Sequence, residues 1–194
     1  MDRQAERQRR AQAIFDTAAQ VLCQAGYDKA SIRDIAQATG MTGAGLYYYF
    51  KSKEELLFII LDGYMDHLLE GVRELSQRLD DPEERLRAFI NFQVQAYCQN
   101  VARSKLIIND ENCLSGQRYQ IVKDKQRRYL GYWRETLDAY YRLKGVEPEF
   151  LSVNLMLLIA MCNWIYQWYD PQGPLAPPAL AEMIFQRFTK GLAG

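Results

Sequence analysis

The sequence predicts an all-α protein: an N-terminal three-helix domain containing a helix-turn-helix, then a larger helical domain, about nine helices in all. Three observations carry this. Apolar residues recur three and four apart along most of the chain, as in Ile14-Ala18-Val21-Leu22 and Leu86-Phe89-Ile90-Val94-Tyr97. Glycines and prolines punctuate the gaps between these stretches, at Gly26, Gly40, Pro82, Gly116, Gly145 and Pro148. Two short amphipathic segments flank Gly40, where a helix must stop and the chain turn sharply. The 194 residues suit a headpiece at 1–53 and a body at 54–194, long enough to bury a real core.

The first helix begins in a basic segment, with Arg3, Arg7, Arg9 and Arg10 ahead of its apolar face. Such arginines can reach backbone phosphates or the minor groove, or they belong to a solvated terminus; both readings stay open. Gly26 ends this helix, and Tyr27 is expected to pack beneath the next unit. A second helix, roughly 32–38, has Ser31 as its N-cap and Arg33 in its first turn, where a helix N-terminus attracts phosphate. Thr42 caps a third helix, roughly 43–49, with Leu46 and Phe50 four apart on one face. Two short helices held by a Gly-containing turn make a helix-turn-helix, which places its second helix in the DNA major groove.

From Ser31 through Ile35-Ala36 and Gly40 to Leu46-Tyr47-Tyr48-Tyr49-Phe50-Lys51-Ser52-Lys53-Glu54-Glu55-Leu56, the chain resembles the TetR/AcrR family of bacterial transcriptional regulators. The resemblance covers about the first 60 residues. It implies a homodimer that binds double-stranded DNA at a palindromic operator and answers to a small-molecule inducer. It also implies that Tyr47, Tyr48 and Lys53 contact phosphates, while Leu46 and Phe50 are core. The family often carries a basic residue at position 43 and Ser or Thr at 45; here both are glycine. Base readout must then lean on Thr42 and Tyr48, with Ala44 placed to touch a thymine methyl and Gly43 letting the backbone approach the duplex. The expected DNA-binding set is Ser31, Arg33, Thr42, Gly43, Ala44, Tyr47, Tyr48 and Lys53.

Ser52 and Glu55 form a capping box for a long helix running through Leu56, Ile60, Tyr64 and Leu68 to about Leu79. This helix connects head to body. Pro82 suits the first turn of the next, which ends near Val101; a shorter helix is expected over 104–114. Residues 117–143 are rich in Tyr and Arg. They form either an aromatic core stripe with a solvated basic face, or a pocket wall with a basic mouth that admits an anion. Tyr97, Tyr129, Trp133 and Arg134 are the candidate ligand contacts.

Residues 149–169 are apolar nearly all round, so burial is expected on every side, and a partner subunit supplies what a small domain cannot. With a last helix at about 178–191, carrying Leu180, Met183, Ile184, Phe188 and Leu192, they would form a four-helix dimer interface. The candidate interface residues are Leu155, Leu158, Ile159, Cys162, Trp164, Ile165, Met183, Ile184 and Phe188. The run from Trp164 through Tyr169-Asp170-Pro171 and Gly173-Pro174 to Leu175 also resembles TetR regulators that respond to acyl-CoA thioesters.

Formal net charge is zero, yet residues 1–53 hold eight Lys/Arg against five Asp/Glu and the remainder sixteen against nineteen. A mildly basic head on a mildly acidic body fits DNA binding. Cys23, Cys98, Cys113 and Cys162 lack metal-ligand spacing and suit a reducing cytoplasm. A single histidine, His67, excludes a catalytic triad, and no phosphate loop or dinucleotide fingerprint appears; no enzymatic activity, metal or cofactor is expected. No signal peptide and no apolar run of about 18 residues is expected, hence a cytoplasmic, nucleoid-associated protein without a membrane partner. The favoured reading is a repressor released from its operator by an acyl-CoA thioester. The alternatives are a regulator answering to hydrophobic or cationic compounds, of the efflux type, and a helical adaptor that does not bind DNA.

Overall fold

The computed structural model describes residues 3–191, so Leu192 lies outside it. The described residues form helices and turns, with no strand among them. In order these are α1 (Arg3–Ala25), α2 (Ile32–Thr39), α3 (Gly43–Leu46), α4 (Lys53–Arg78), α5 (Pro82–Gln99), α6 (Val101–Asn109), a 3-10 turn at Glu111–Cys113, α7 (Gly116–Leu143), α8 (Leu151–Asn163), α9 (Ile165–Trp168) and α10 (Pro177–Lys190). They gather into two compact units. One joins the N-terminal residues up to Met65 with Ala102–Lys123; the other joins Asp66–Val101 with Asp124 onward. The boundaries fall inside α4 and α7 and after Val101, the first residue of α6.

In the first unit α1 buries Ile14, Ala18, Ala19 and Leu22, and α2 buries Ile35 and Ala36. Leu46 and Phe50 close this core, and the first turns of α4 add Leu56, Leu57, Ile60 and Leu61. Leu106 and Ile107 from α6 and Val122 from α7 are buried as well. Polar links accompany them. Arg103 pairs with Asp16, and the Tyr64 hydroxyl meets Ser104 Oγ at 2.7 Å in the interior. Burial pushes the Tyr64 phenol upward.

The start of α7 would leave backbone N–H groups without partners. Glu54 supplies an acceptor: the Ser115 N–H and hydroxyl donate to its Oε1 at 3.0 and 2.9 Å. The Ser115 hydroxyl first, then its N–H, hold the Glu54 carboxyl below the usual range. A depressed carboxyl contributes stability above its unfolded pKa, about 4.3, and that contribution is lost as pH falls through the lower folded value. Thermal melts between pH 7 and 3 are expected to show a smaller acid-induced drop in Glu54→Gln than in the wild type.

In the second unit α5 buries Leu86, Phe89, Ile90, Gln93, Val94 and Tyr97. Leu180, Ala181, Ile184 and Phe185 of α10 pack on it, with Leu155, Leu158 and Cys162 of α8 and Ile165 of α9. Arg87 joins α5 to α10 by pairing with Glu182 while its guanidinium lies 3.8 Å from the Phe185 ring centroid.

Three boundaries differ from expectation. The third helix stops at Leu46, because residues 47–49 continue as tight turns with Tyr49 N–H bonded to Leu46 O. The fifth stops at Gln99, where Asn100 leaves helical geometry, and α6 begins at once. The apolar stretch 149–169 breaks at Trp164 into α8 and α9. Leu151–Trp168 is an 18-residue stretch of mean hydropathy 1.2, with 22% of it buried in the protomer, and Ser152, Asn154, Asn163 and Gln167 interrupt its apolar residues.

Candidate functional site

The helix-turn-helix is held by local hydrogen bonds. Ser31 Oγ accepts from Asp34 N–H at 3.2 Å, while the Ser31 N–H donates to Asp34 Oδ2 at 2.8 Å: a capping box closed by Asp. The Ser31 hydroxyl, followed by its N–H, holds the Asp34 carboxyl below the usual range. At the other end Gly40 adopts φ 66°, and Met41 N–H reaches back to Ala36 O at 2.9 Å. That left-handed step turns the chain into α3, which is why a glycine stands there.

Thr42 Oγ1 accepts from Gly45 N–H at 3.1 Å, so this candidate base reader also serves as the cap of α3. A Cβ at Gly43 would meet nothing within 4 Å, whereas one at Gly45 would press on Met41 Cε and Thr42 Oγ1 at 3.3 Å. Gly43 therefore marks open space, and Gly45 fits closely over its own cap. Ser31, Arg33, Thr42 and Ala44 are exposed. Tyr47 and Tyr48 are 54% and 65% exposed, large aromatic surfaces that the fold itself does not cover.

Lys53 departs from expectation. Its Nζ donates to the carbonyls of Tyr27, Asp28 and Ala30 at 2.8, 3.3 and 3.2 Å and lies 4.5 Å from the Tyr27 ring centroid. The ammonium has three donors, and all three are engaged by the α1–α2 turn. It is a structural tie rather than a free phosphate hand. Arg7, by contrast, stacks over Tyr48 at 5.0 Å and donates to its hydroxyl. Among the described residues it is the one of the four N-terminal arginines with a built partner. The spacing Arg3-Arg7-Arg10 was the available clue, since it puts one stripe on a helix.

Among the ligand candidates, Tyr97, Tyr129 and Trp133 are buried in the second unit. Arg134 is not with them; it is exposed and donates to Ser152 Oγ at 2.9 Å, because one residue along a helix turns it about 100° away from Trp133. Tyr129 donates to Gln93 Oε1, and Gln93 Nε2 donates to Asn163 Oδ1 at 3.0 Å. Trp133 stacks edge-on against Phe89 at 5.3 Å and Tyr129 at 6.2 Å. Its Nε1 is fully enclosed without an acceptor among the described residues. Gln93 was missed from sequence, although Phe89, Gln93 and Tyr97 fall four apart on the buried face of α5.

The basic face of α7 is largely paired: Lys123 with Glu111 at 2.9 Å, Lys125 with Asp66 at 2.7 Å, and Arg127 with Asp124. That favours the solvated-face reading over a free basic mouth. The expected interface residues divide. Leu155, Leu158, Cys162, Ile165 and Ile184 are buried inside their own protomer, and burial pushes the Cys162 thiol up to about 12. They face α5 and so leave the expected interface set. Ile159 and Phe188 are half-buried, while Trp164 and Met183 are exposed. The apolar surface left open comprises Val153, Met156, Leu157, Met161, Trp164, Trp168 and Met183. Beyond Trp168 the chain turns at Asp170-Pro171, with Gly173 N–H on Asp170 O at 3.0 Å and the Tyr169 hydroxyl on Leu175 O at 3.0 Å. Among the described residues no group of three or more His, Cys, Asp or Glu could hold a metal, and His67 packs against Phe92 at 5.6 Å.

The sequence profile of the bacterial regulatory proteins of the tetR family matches residues 14–59, and that of the tetracyclin repressor-like C-terminal domain matches residues 79–192. The chain belongs to the TetR family. It is a transcriptional regulator and not an enzyme. The HTH-type transcriptional repressor KstR2 of Mycobacterium tuberculosis is 27% identical over 178 residues, covering 90% of this chain and 86% of that one. A TetR-family transcriptional regulator from Bordetella parapertussis superposes with TM-score 0.88 at 30% identity, over 94% of this chain and 95% of the other. The structure of AibR in complex with isovaleryl coenzyme A and operator DNA superposes with TM-score 0.82 at 29% identity, over 91% and 96%. In this headpiece Tyr47 and Tyr48 form an exposed aromatic surface next to the exposed Thr42 and Ala44.

Proposed function

We propose that this TetR regulator is a homodimeric repressor released from a palindromic operator by an acyl-CoA thioester. The single observation that carries the inducer class is the likeness to AibR, a structure holding both isovaleryl coenzyme A and operator DNA. The interior chemistry supports it. Trp133 Nε1 is a buried donor in want of an acceptor, beside the polar chain Tyr129–Gln93–Asn163. A thioester or β-oxo carbonyl would satisfy it, and leaving such a donor unpaired costs about 1–3 kcal/mol. The open apolar face of α8, α9 and α10 supports the dimer, whose two heads would read half-sites about 34 Å apart. The inducer acts only through its differential affinity for the DNA-competent and released states.

The second reading, a flat hydrophobic or cationic inducer, rests on the aromatic cluster of Phe89, Tyr97, Tyr129 and Trp133 and on the pairing of the α7 cations. A thermal-shift panel separates the two. An acyl-CoA at 100 times its Kd is expected to stabilise the protein by about 2.7 kcal/mol, with the free acid and coenzyme A alone weaker. The same acyl-CoA is expected to release a fluorescent operator. Stabilisation by uncharged or cationic drugs only would overturn the acyl-CoA assignment.

A further inference from the structure

The N-terminal turns of α1 run from Arg3 well before the first buried residue, Ile14. Nothing in the core requires them. Arg3, Arg7 and Arg10 are exposed and lie along one stripe of the helix at i, i+4 and i+7. Beside that stripe, Gln4, Arg7, Gln8, Ala11 and Phe15 of α1 and Tyr48 and Tyr49 enclose a groove of about 400 Å³. Among the described residues its lining offers a guanidinium, two carboxamides and two phenols, and no carboxylate. Arg7 is fixed there twice, by its hydrogen bond to the Tyr48 hydroxyl and by stacking on the Tyr48 ring. A guanidinium carries five N–H donors, so four remain beyond the one given to Tyr48.

We propose that this groove seats a sugar-phosphate segment of the operator flanking the half-site, with Arg7 as its phosphate ligand and Tyr48 as the platform that orients Arg7. The inference rests on the DNA-binding reading above and extends the contact surface from the helix-turn-helix onto α1. Three features select duplex backbone as the occupant: a donor-rich lining, without carboxylates among the described residues, an arginine stripe of the length of two turns, and continuity with the exposed Tyr47-Tyr48 surface. It also reassigns Tyr48. A phenol whose hydroxyl accepts from Arg7 works on the backbone and leaves base readout to Thr42 and Ala44.

The test uses the full-length protein and an operator duplex selected from genomic fragments by the wild type. Titrations across salt are expected to show that Arg7→Ala lowers the slope of log K against log salt by about 0.9, the share of one phosphate. Arg7→Lys should retain most of that slope. Tyr48→Phe should fall between, since it keeps the ring and loses the anchor. On a duplex trimmed flush to its half-sites, wild type and Arg7→Ala should converge. Circular dichroism of each variant checks that the exposed substitutions leave the fold intact. A wild type that binds with steep salt dependence, and an Arg7→Ala variant of equal slope and affinity, would overturn the inference while leaving the DNA-binding reading in place. Tighter binding by Arg7→Ala would overturn it too, by showing that Arg7 masks Tyr48. A wild type that enriches no fragment would overturn both, and that failure is visible before any variant is made.

Discussion

Leu157→Glu is expected to convert the regulator to a monomer and to abolish operator binding. Leu157 is 58% exposed within a face that also contains Val153, Met156, Met161, Trp164, Trp168 and Met183. An isologous dimer uses each residue twice, so every substitution acts on both sides of the interface. Each copy would lose about 2 kcal/mol of apolar burial and desolvate a carboxylate at several kcal/mol more. Even about 6 kcal/mol in total weakens association roughly 10⁴-fold. A palindromic operator needs two heads, so the monomer should lose affinity far beyond half. Sedimentation equilibrium reads the first effect and fluorescence anisotropy the second. Leu158→Ala serves as the contrast. Leu158 is fully buried in its own protomer, so its truncation should lower the melting temperature, at about 2–5 kcal/mol, without a matching change in association. A Leu157→Glu variant that stays dimeric would remove this face from the interface.

That contrast shows what the sequence could and could not reveal. Periodicity identifies a helix face only when polar residues mark the opposite side. In α1 and α5 they do, and Ile14, Leu22, Phe89 and Val94 were readable as core. In α8 nearly every position is apolar, so the pattern carries no phase. Leu155, Leu158 and Cys162 look the same in sequence as Val153, Leu157 and Met161. Only the packing of α8 on α5 separates the inward set from the outward one. The helix-turn-helix was legible for the opposite reason. Ser31, Gly40 and Thr42 act on backbone atoms within five residues, as caps and a left-handed turn, and such local chemistry is written in spacing. The Ser52 cap was legible in the same way, though Glu55 answers Lys51 N–H at 2.6 Å in place of the N-cap N–H. Arg134 was misplaced by one residue of helical rotation beside Trp133. Gln93 went unseen because a lone amide on an apolar stripe gives no warning of the Tyr129 and Asn163 groups that claim it.

Lys53 is the sharpest case, and its substitution decides between two physical roles. Lys53→Ala is expected to lower the melting temperature by about 4–8 °C while leaving the salt slope of operator binding unchanged. The ammonium answers carbonyls at Tyr27, Asp28 and Ala30, 23 to 26 residues away, which no local spacing could announce. Hydrogen bonds from a charged donor contribute about 1.5–3 kcal/mol, and the Tyr27 face adds up to about 1 kcal/mol. Half-exposure discounts both, so a net loss near 2 kcal/mol is the working figure. The lysine also spans from the first turn of α4 to the α1–α2 turn, so its loss should loosen the headpiece core first. Hydrogen exchange is therefore expected to rise at Tyr27–Ile35 before it rises in α5. Lys53→Met should behave like Lys53→Ala, since the stem is retained and the donors are gone. Lys53→Arg should recover only part of the loss, because a planar fork cannot address three carbonyls as a tripod does. A phosphate-binding lysine would give the reverse pattern: a slope smaller by about 0.9, an unchanged melting temperature, and full rescue by arginine.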